Sequence, residues 1–227
     1  MKKLWLIVLM ASLSIGTLFA EDKETERLAH SAKVFGEIMA APDKAIPRDL
    51  LDKAECVAII PSMKKGGFIV GGRYGKGMIS CRNTAKTAWG APAMVILEGG
   101  SFGLQIGGAA VDVVLLIMNR SGIDSLLSSK VTLGGDASVA GGPVGRATTA
   151  ETDAAMKAKI LSYSRSQGVF AGLELKGSTL RQDKDADKAL YGKQIEAREI
   201  LTPGKAAVPT AAQPVIKVLT KYSPKGK

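Results

Sequence analysis

The chain has 227 residues, with 31 lysines and arginines against 21 aspartates and glutamates, one histidine and two cysteines. This length suits one ordinary domain with tails. One histidine and two cysteines are too few for a metal site built from histidine and cysteine ligands, so we expect neither a metal centre nor a cofactor.

The first residues have the pattern of a secretory signal peptide. Two lysines precede a short apolar run, Leu4–Leu13, and the small residue Ala20 stands just before the sequence turns polar. We predict a signal peptide over 1–20 that is cleaved near Ala20, one domain over 21–202 and a basic Pro/Ala/Lys-rich tail over 203–227. The prediction is therefore an exported protein of the periplasm or cell envelope, associated with the membrane peripherally.

Helical periodicity comes next in the chain. Across residues 21–40, apolar side chains recur at three- and four-residue spacing, which predicts an amphipathic helix: Leu28, Ala32, Phe35 and Met39. Pro42 ends this helix. The segment IPRDLLDKAE predicts a second, shorter helix with Pro47 near its start.

Apolar runs punctuated by glycine fill residues 56–146. FIVGG, APAMVIL, FGLQIGG, AAVDVVLLIM and KVTLGG are rich in branched side chains and bounded by glycine, which predicts β-strands joined by tight turns. One turn is expected at Gly71–Gly72, and SGIDSLLSS indicates a helical insert.

The last third of the chain is mixed. The capping-box spacing of Thr148 and Glu151 favours a helix, with a strand as the alternative, and ILSYSRSQGVFAGLEL predicts a strand pair that turns near Ser166–Gly168. DADKALYGKQIEAREIL is helical in pattern. From Pro203 we expect a loosely held tail, in which VIKVLTKY forms one or two amphipathic turns. The predicted fold class is α+β, with a Gly-rich, mainly antiparallel β-sheet or barrel-like core and helices at its N- and C-terminal sides.

Positive charge is concentrated in two windows without acidic residues, 56–97 and 200–227. Basic regions on a slightly acidic body favour a polyanionic partner, and in an exported protein a phospholipid surface is more plausible than nucleic acid. The alternative is that these charges only keep the protein soluble. The first lipid contacts are predicted to be Lys64, Lys65, Arg73 and Lys76.

Cys56 and Cys81 form an even pair in a chain predicted to reach an oxidising compartment, where disulfide formation is the default. Each flanks an apolar run that reads as a strand. We expect a bridge if those strands are neighbours, and two buried free thiols otherwise.

Each catalytic or nucleotide-binding motif suggested by the sequence lacks a required residue. GGSFG, Gly99–Gly103, has the spacing of a nucleophile elbow, but the only histidine is His30, far upstream, and none follows to act as the base. GFIVGGRYGKG, Gly67–Gly77, lacks the G-x-x-x-x-G-K-[ST] order of a phosphate loop. An enzyme acting through Glu98 or Asp112 has no motif behind it. We predict no catalytic residues and a protein that is not an enzyme.

Four ordered motifs resemble a known family. CVAIIPSMKKGGFIVGGRYGKGMISCR, WGAPAMVILEGGSFGLQIGGAAVDVVLLIMN, VTLGGDASVAGGPVGR and YSRSQGVFAGLELKGS together look like the SYLF domain, over about Lys33 to Leu201. The resemblance implies one α+β domain and binding of membrane phospholipids, with phosphoinositides the ligand class of eukaryotic members. It also implies actin binding in some fungal members.

The leading hypothesis is a non-catalytic protein that docks on anionic phospholipid. Phosphatidylinositol lipids are one of the headgroup classes considered. The resemblance implies that eukaryotic members bind membranes through a basic amphipathic N-terminal helix. The first segment here, EDKETER, is not strongly basic, so the headgroup is left open. The alternative is an envelope module that binds another protein, as eukaryotic relatives bind actin.

Overall fold

The computed structural model describes residues 23–41, 45–67, 70–102, 108–119, 122, 124, 130–143, 158–166, 169–170 and 175–226. Several predicted features lie wholly or mostly outside these ranges: the signal peptide over 1–20, the strand FGLQIGG, the helix at Thr148 and Glu151, and the turn near Ser166–Gly168. Most of the predicted helical insert SGIDSLLSS also lies outside them.

A mainly antiparallel sheet forms the centre of the fold. Its strands are β1 (Cys56–Gly67), β2 (Val70–Cys81), β3 (Ala93–Phe102), β4 (Gly108–Ile117), β5 (Lys130–Thr132), β6 (Val139–Gly141), β7 (Ile160–Ser166), β8 (Val169–Phe170) and β9 (Thr179–Gln182). The spatial order is β5-β9-β3-β2-β1-β4-β7-β6, and β8 pairs with β7. Only β6 and β7 run parallel among these pairs.

The described helices flank the sheet in sequence. They are α1 over residues 23–40, α2 (Arg48–Lys53), α3 (Lys184–Tyr191), α4 (Ala197–Leu201) and α5 (Gln213–Tyr222), the last preceded by a 3₁₀ turn, Thr210–Ala212. The α+β class, with helices at both ends of a mainly antiparallel sheet, is confirmed. Between the described strands the sheet is open, with β5 and β6 at its two ends.

Both faces of the central strands are buried. In β1, Cys56, Ala58 and Ile60 point into one apolar layer, whereas Val57 and Ile59 point into another. The second layer lies beneath α1, α2 and α5, and α4 covers part of the first. A continuous apolar run such as CVAII is typical of a strand that is covered on both sides.

The glycine-rich hairpin differs from the prediction. Gly71 and Gly72 are not a turn, because they pair with Gly67 and Gly66 inside the β1–β2 ladder. The local composition predicts a turn, but without side chains these residues also let two strands pair closely.

The basic C-terminal segment is part of the domain. In α5, Val215 and Leu219 are fully buried against the sheet, and a carbon added at Gly36 of α1 would contact Val218. The expectation of a loosely held tail is wrong, because the apolar side of VIKVLTKY recurs at helical spacing and buries against α1 and the sheet. The helical reading of that segment is confirmed.

Candidate functional site

A groove of about 400 Å³ runs between α1 and the β1–β2 ladder. We call it the α1 groove. Its lining includes four lysine or arginine side chains, one histidine and one glutamate. It is therefore a cationic depression of a size that suits a small ligand group.

The helical wall of the groove comes from the first turns of α1. Side chains three, four and seven positions apart lie on one face of a helix, and this spacing brings four lining residues together: Lys23, Glu26, Arg27 and His30. The opposite face of α1, which includes Leu28 and Phe35, is buried in the apolar layer. Burial of that apolar stripe holds the charged stripe at the groove.

The strand wall depends on an irregularity in β1. Between Ile60 and Met63 the pairing of β1 with β4 shifts by one residue, and Ser62 has a left-handed backbone with φ of 48°. The Ser62 amide donates to Asp112 Oδ1 at 2.9 Å, which supports this conformation. Because the extra residue reverses the alternation of side chains, Met63 enters the apolar layer and Lys64 lines the groove.

Tyr74 and Lys76 complete the strand wall from β2. Lys64 is the register partner of Tyr74, and residues two apart on a strand share a face. Tyr74 is 44% exposed, the highest value among the large hydrophobic residues that the structure describes. The groove thus has an aromatic ring among its cations.

Asp183 holds two of the groove cations in place. Its Oδ2 lies 2.7 Å from Lys76 Nζ and 3.4 Å from an Arg27 nitrogen, and Arg27 also pairs with Glu24 at 2.7 Å. Asp183 is buried at the start of α3, where it accepts a capping hydrogen bond from Ala186. Burial raises the pKa of Glu24, while Arg27 opposes that rise. Lys76 and Arg27 are therefore positioned and largely neutralised.

Lys23 and Lys64 have a different role. Both are exposed, and within the described ranges neither forms an ion pair with an acidic side chain. Their charges are therefore available to an external anion.

The four cations predicted as lipid contacts are divided between two faces of the sheet. Lys64 and Lys76 lie at the α1 groove. Lys65 and Arg73 are register partners on the opposite face. Arg73 is 7% exposed and donates to the Gly100 carbonyl at 3.1 Å, so its guanidinium faces protein rather than solvent.

Sequence reasoning missed the helical wall. It judged the segment EDKETER by its net charge, in which four acidic residues outnumber Lys23 and Arg27. The helical spacing of Lys23, Arg27 and His30 was the signal that could have placed them on one face.

The carboxylates considered for catalysis have structural partners. Glu98 receives two hydrogen bonds from Arg181, at 2.8 and 3.1 Å, and this partner lowers the pKa of Glu98. Asp112 accepts from Ser62 and, at 3.0 Å, from Arg165, which also contacts α1 through Glu37. Within the described residues, no group of three His, Cys, Asp or Glu side chains is arranged to hold a metal ion.

The cysteines face each other across β1 and β2. Cys56 and Cys81 are register partners, their Cα atoms are 4.0 Å apart, and their sulfur atoms are at bonding distance. Both side chains are buried. A covalent bridge here would close the open end of the β1–β2 hairpin.

The fold and groove define an α+β domain with a cationic groove, and comparison with known proteins identifies its family. A family model described as "Ysc84: Las17-binding protein actin regulator" matches residues 98–222, more than half of the chain. The chain belongs to the Ysc84 family. This confirms the SYLF resemblance. The family description names binding to Las17 and regulation of actin.

The relatives are longer proteins from yeasts and vertebrates. An SH3 domain-containing protein of Schizosaccharomyces pombe is 36% identical over 78% of the chain and 41% of its own length. LAS seventeen-binding protein 3 of Saccharomyces cerevisiae is 32% identical, over 89% and 44%. SH3 domain-containing YSC84-like protein 1 of Rattus norvegicus is 31% identical, over 89% and 59%. The chain spans about half the length of the curated relatives it matches.

These relatives overturn the predicted location. An exported protein of the periplasm or cell envelope, cleaved near Ala20, does not agree with eukaryotic relatives that are named for binding Las17 and for likeness to YSC84. The error arose because a short apolar N-terminal run was interpreted alone. No helix in the described part of the chain combines the length and apolar character that crossing a bilayer requires.

Proposed function

We propose that this protein is a phospholipid-binding member of the Ysc84 family that docks on anionic membrane surfaces with the α1 groove facing the lipid. The observation that carries the proposal is the pair of exposed lysines, Lys23 and Lys64, on opposite walls of the groove. The exposed ring of Tyr74 lies beside them. An aromatic side chain with a polar tip is well suited to the interface between headgroups and water.

The charge at the groove sets the expected strength. Each cation close to an anionic surface contributes about 1 kcal/mol. Lys23 and Lys64 contribute most, because Asp183 already neutralises much of the charge on Lys76 and Arg27. The proposed contact includes two of the four predicted cations, Lys64 and Lys76, and leaves out Lys65 and Arg73. Docking of this kind should weaken as salt shortens the screening length.

Vesicle sedimentation tests the proposal. The protein is mixed with phosphatidylcholine vesicles, with or without phosphatidylserine, across about 0.05 to 0.5 M salt. We expect binding only to the anionic vesicles and loss at high salt. The double variant Lys23→Glu/Lys64→Glu should lose binding, whereas Lys130→Glu, on the edge strand β5, should retain it. Equal failure to bind both vesicle types at low salt would refute the proposal.

A second candidate is a protein partner. The family description names actin regulation, and a yeast relative is named for binding Las17. On α5, Lys217 and Lys221 are exposed one turn apart, an arrangement that suits an acidic protein surface. Co-sedimentation with filamentous actin, comparing the natural chain with Lys217→Glu/Lys221→Glu, tests this candidate. Actin binding that depends on these lysines, without vesicle binding, would favour it over the lipid.

A further inference from the structure

We propose that the α1 groove is a specific phosphate-ester site, in which one phosphate group is held between the helical wall and the strand wall. This inference rests on the proposed function for the source of the phosphate, a lipid headgroup. It goes further in assigning a built site, as opposed to a diffuse charged surface.

The two walls supply different kinds of donors. Lys76 and Arg27 are fixed by their ion pairs with Asp183 at 2.7 and 3.4 Å, so little freedom remains for them to lose when an anion arrives. Lys23 and Lys64 are exposed and, within the described ranges, form no ion pair with an acidic side chain. Donors held by ion pairs beside exposed donors without such pairs suit an anion that enters from solvent.

Asp183 acts as a positioning residue for this site. It is buried, it caps α3 through the Ala186 amide, and its other oxygen points to the cations. The carboxylate therefore sets where Lys76 stands without lining the groove itself. Among the lining residues only Glu26 would repel an anion.

Ion pairs within the protein explain the presence of only two of the four groove cations. They account for Arg27 and Lys76, which attach α1 and β2 to the start of α3. They do not account for Lys23 and Lys64, which stand on opposite walls of the same depression. A tetrahedral phosphate can accept hydrogen bonds from both walls at once, whereas a flat charged surface has no need of such an arrangement.

The bulge in β1 provides a matched pair of variants. Lys64→Gln and Lys65→Gln remove the same charge from adjacent residues, but only Lys64 lines the groove. Amide chemical shifts are followed while glycerol 3-phosphate is added to the natural chain and to both variants, with glycerol as the control that lacks phosphate. We expect saturable shifts at the groove, about five-fold weaker binding for Lys64→Gln, and less than two-fold change for Lys65→Gln.

Melting temperatures with and without glycerol 3-phosphate give a second readout that does not depend on variants. A specific site raises the melting temperature of the natural chain as the ligand concentration rises. Equal weakening by Lys64→Gln and Lys65→Gln would overturn the inference, because diffuse attraction acts on both. Absence of saturable binding by the natural chain would overturn it as well.

Vesicles separate this inference from the proposed function. Binding to phosphatidic acid vesicles without binding of glycerol 3-phosphate would refute the groove as a phosphate site and leave the membrane function standing. Saturable binding of glycerol 3-phosphate without vesicle binding would support the site and refute the membrane function. Competition between the two ligands would support both.

Discussion

Replacing Arg82 with methionine should lower the free energy of unfolding and detach the end of α5. The guanidinium is 3% exposed and donates to the Ala54 carbonyl at 3.2 Å, to the Ser223 carbonyl at 3.3 Å and to the Ser223 hydroxyl. It also stacks 4.0 Å from the centre of the Trp89 ring. Arg82, which directly follows β2, therefore holds the chain just after α5 in place.

The magnitude follows from what the substitution leaves behind. The Ser223 carbonyl keeps a hydrogen bond from Trp89 Nε1 at 3.0 Å, but the Ala54 carbonyl loses its side-chain donor. Hydrogen bonds to charged groups contribute about 1.5 to 3 kcal/mol each, and the cost of burying the guanidinium is recovered when it is removed. The net loss for Arg82→Met should be about 3 kcal/mol.

Urea denaturation and hydrogen exchange measure this effect. Lys86→Met is the matched control, because Lys86 is nearby, is 35% exposed and pairs with Glu55 at 2.8 Å. A partly exposed ion pair of this kind contributes about 1 kcal/mol. Amides of α5 should exchange faster in Arg82→Met and not in the control. Equal losses in both variants, or unchanged protection of α5, would refute the reasoning.

Three further predictions concern the core. Burial raises the pKa of Asp187 from 3.8 to about 7, so across that window the folded state keeps a proton that the unfolded state has lost. Stability should therefore fall as pH rises through the window. Urea titrations at several pH values should show this slope in the natural chain and not in Asp187→Asn. Gly77→Ala should lower the free energy of unfolding by about 1 to 3 kcal/mol, because the added carbon would meet the backbone of β1. At Gly72 an added carbon meets nothing within 4 Å, so Gly72→Ala is the control. Equal melting temperatures for the two variants would contradict this prediction. Peptide mapping without reductant should recover Cys56 joined to Cys81, and replacing both with serine should cost about 3 kcal/mol; free thiols in the natural chain would exclude the bridge.

The fold was largely predictable because its signals are local. The three- and four-residue spacing around Leu28 and Phe35 predicts α1, and the run AAVDVVLLIM predicts β4, which spans Gly108–Ile117. The C-terminal segment was misjudged for the opposite reason. Its attachment includes the contact of Arg82 with Ser223, which lies 141 residues further along the chain, and a contact of that kind leaves no local pattern.

The candidate site was only partly predictable. The acid-free window contains Lys64 and Lys76, which the structure places at the α1 groove, but composition carries no information about which face a strand residue occupies. Arg73 belongs to the same window and is buried against the Gly100 carbonyl. Charge counting also treats Lys76 as available, although Asp183, distant in sequence, is its partner.

The irregularity at Ser62 decides which lysine reaches the groove. In a regular strand, residues two apart share a face, so Ser62 and Lys64 would share the face of Ile60, and Met63 and Lys65 would face α1. The extra residue reverses this order, and Met63 takes the inward position. A buried methionine takes the inward position that Ser62 would otherwise hold, which adds apolar area to the core. The same local change that completes the core therefore brings a cation to the groove, so packing and the proposed binding site depend on one backbone feature.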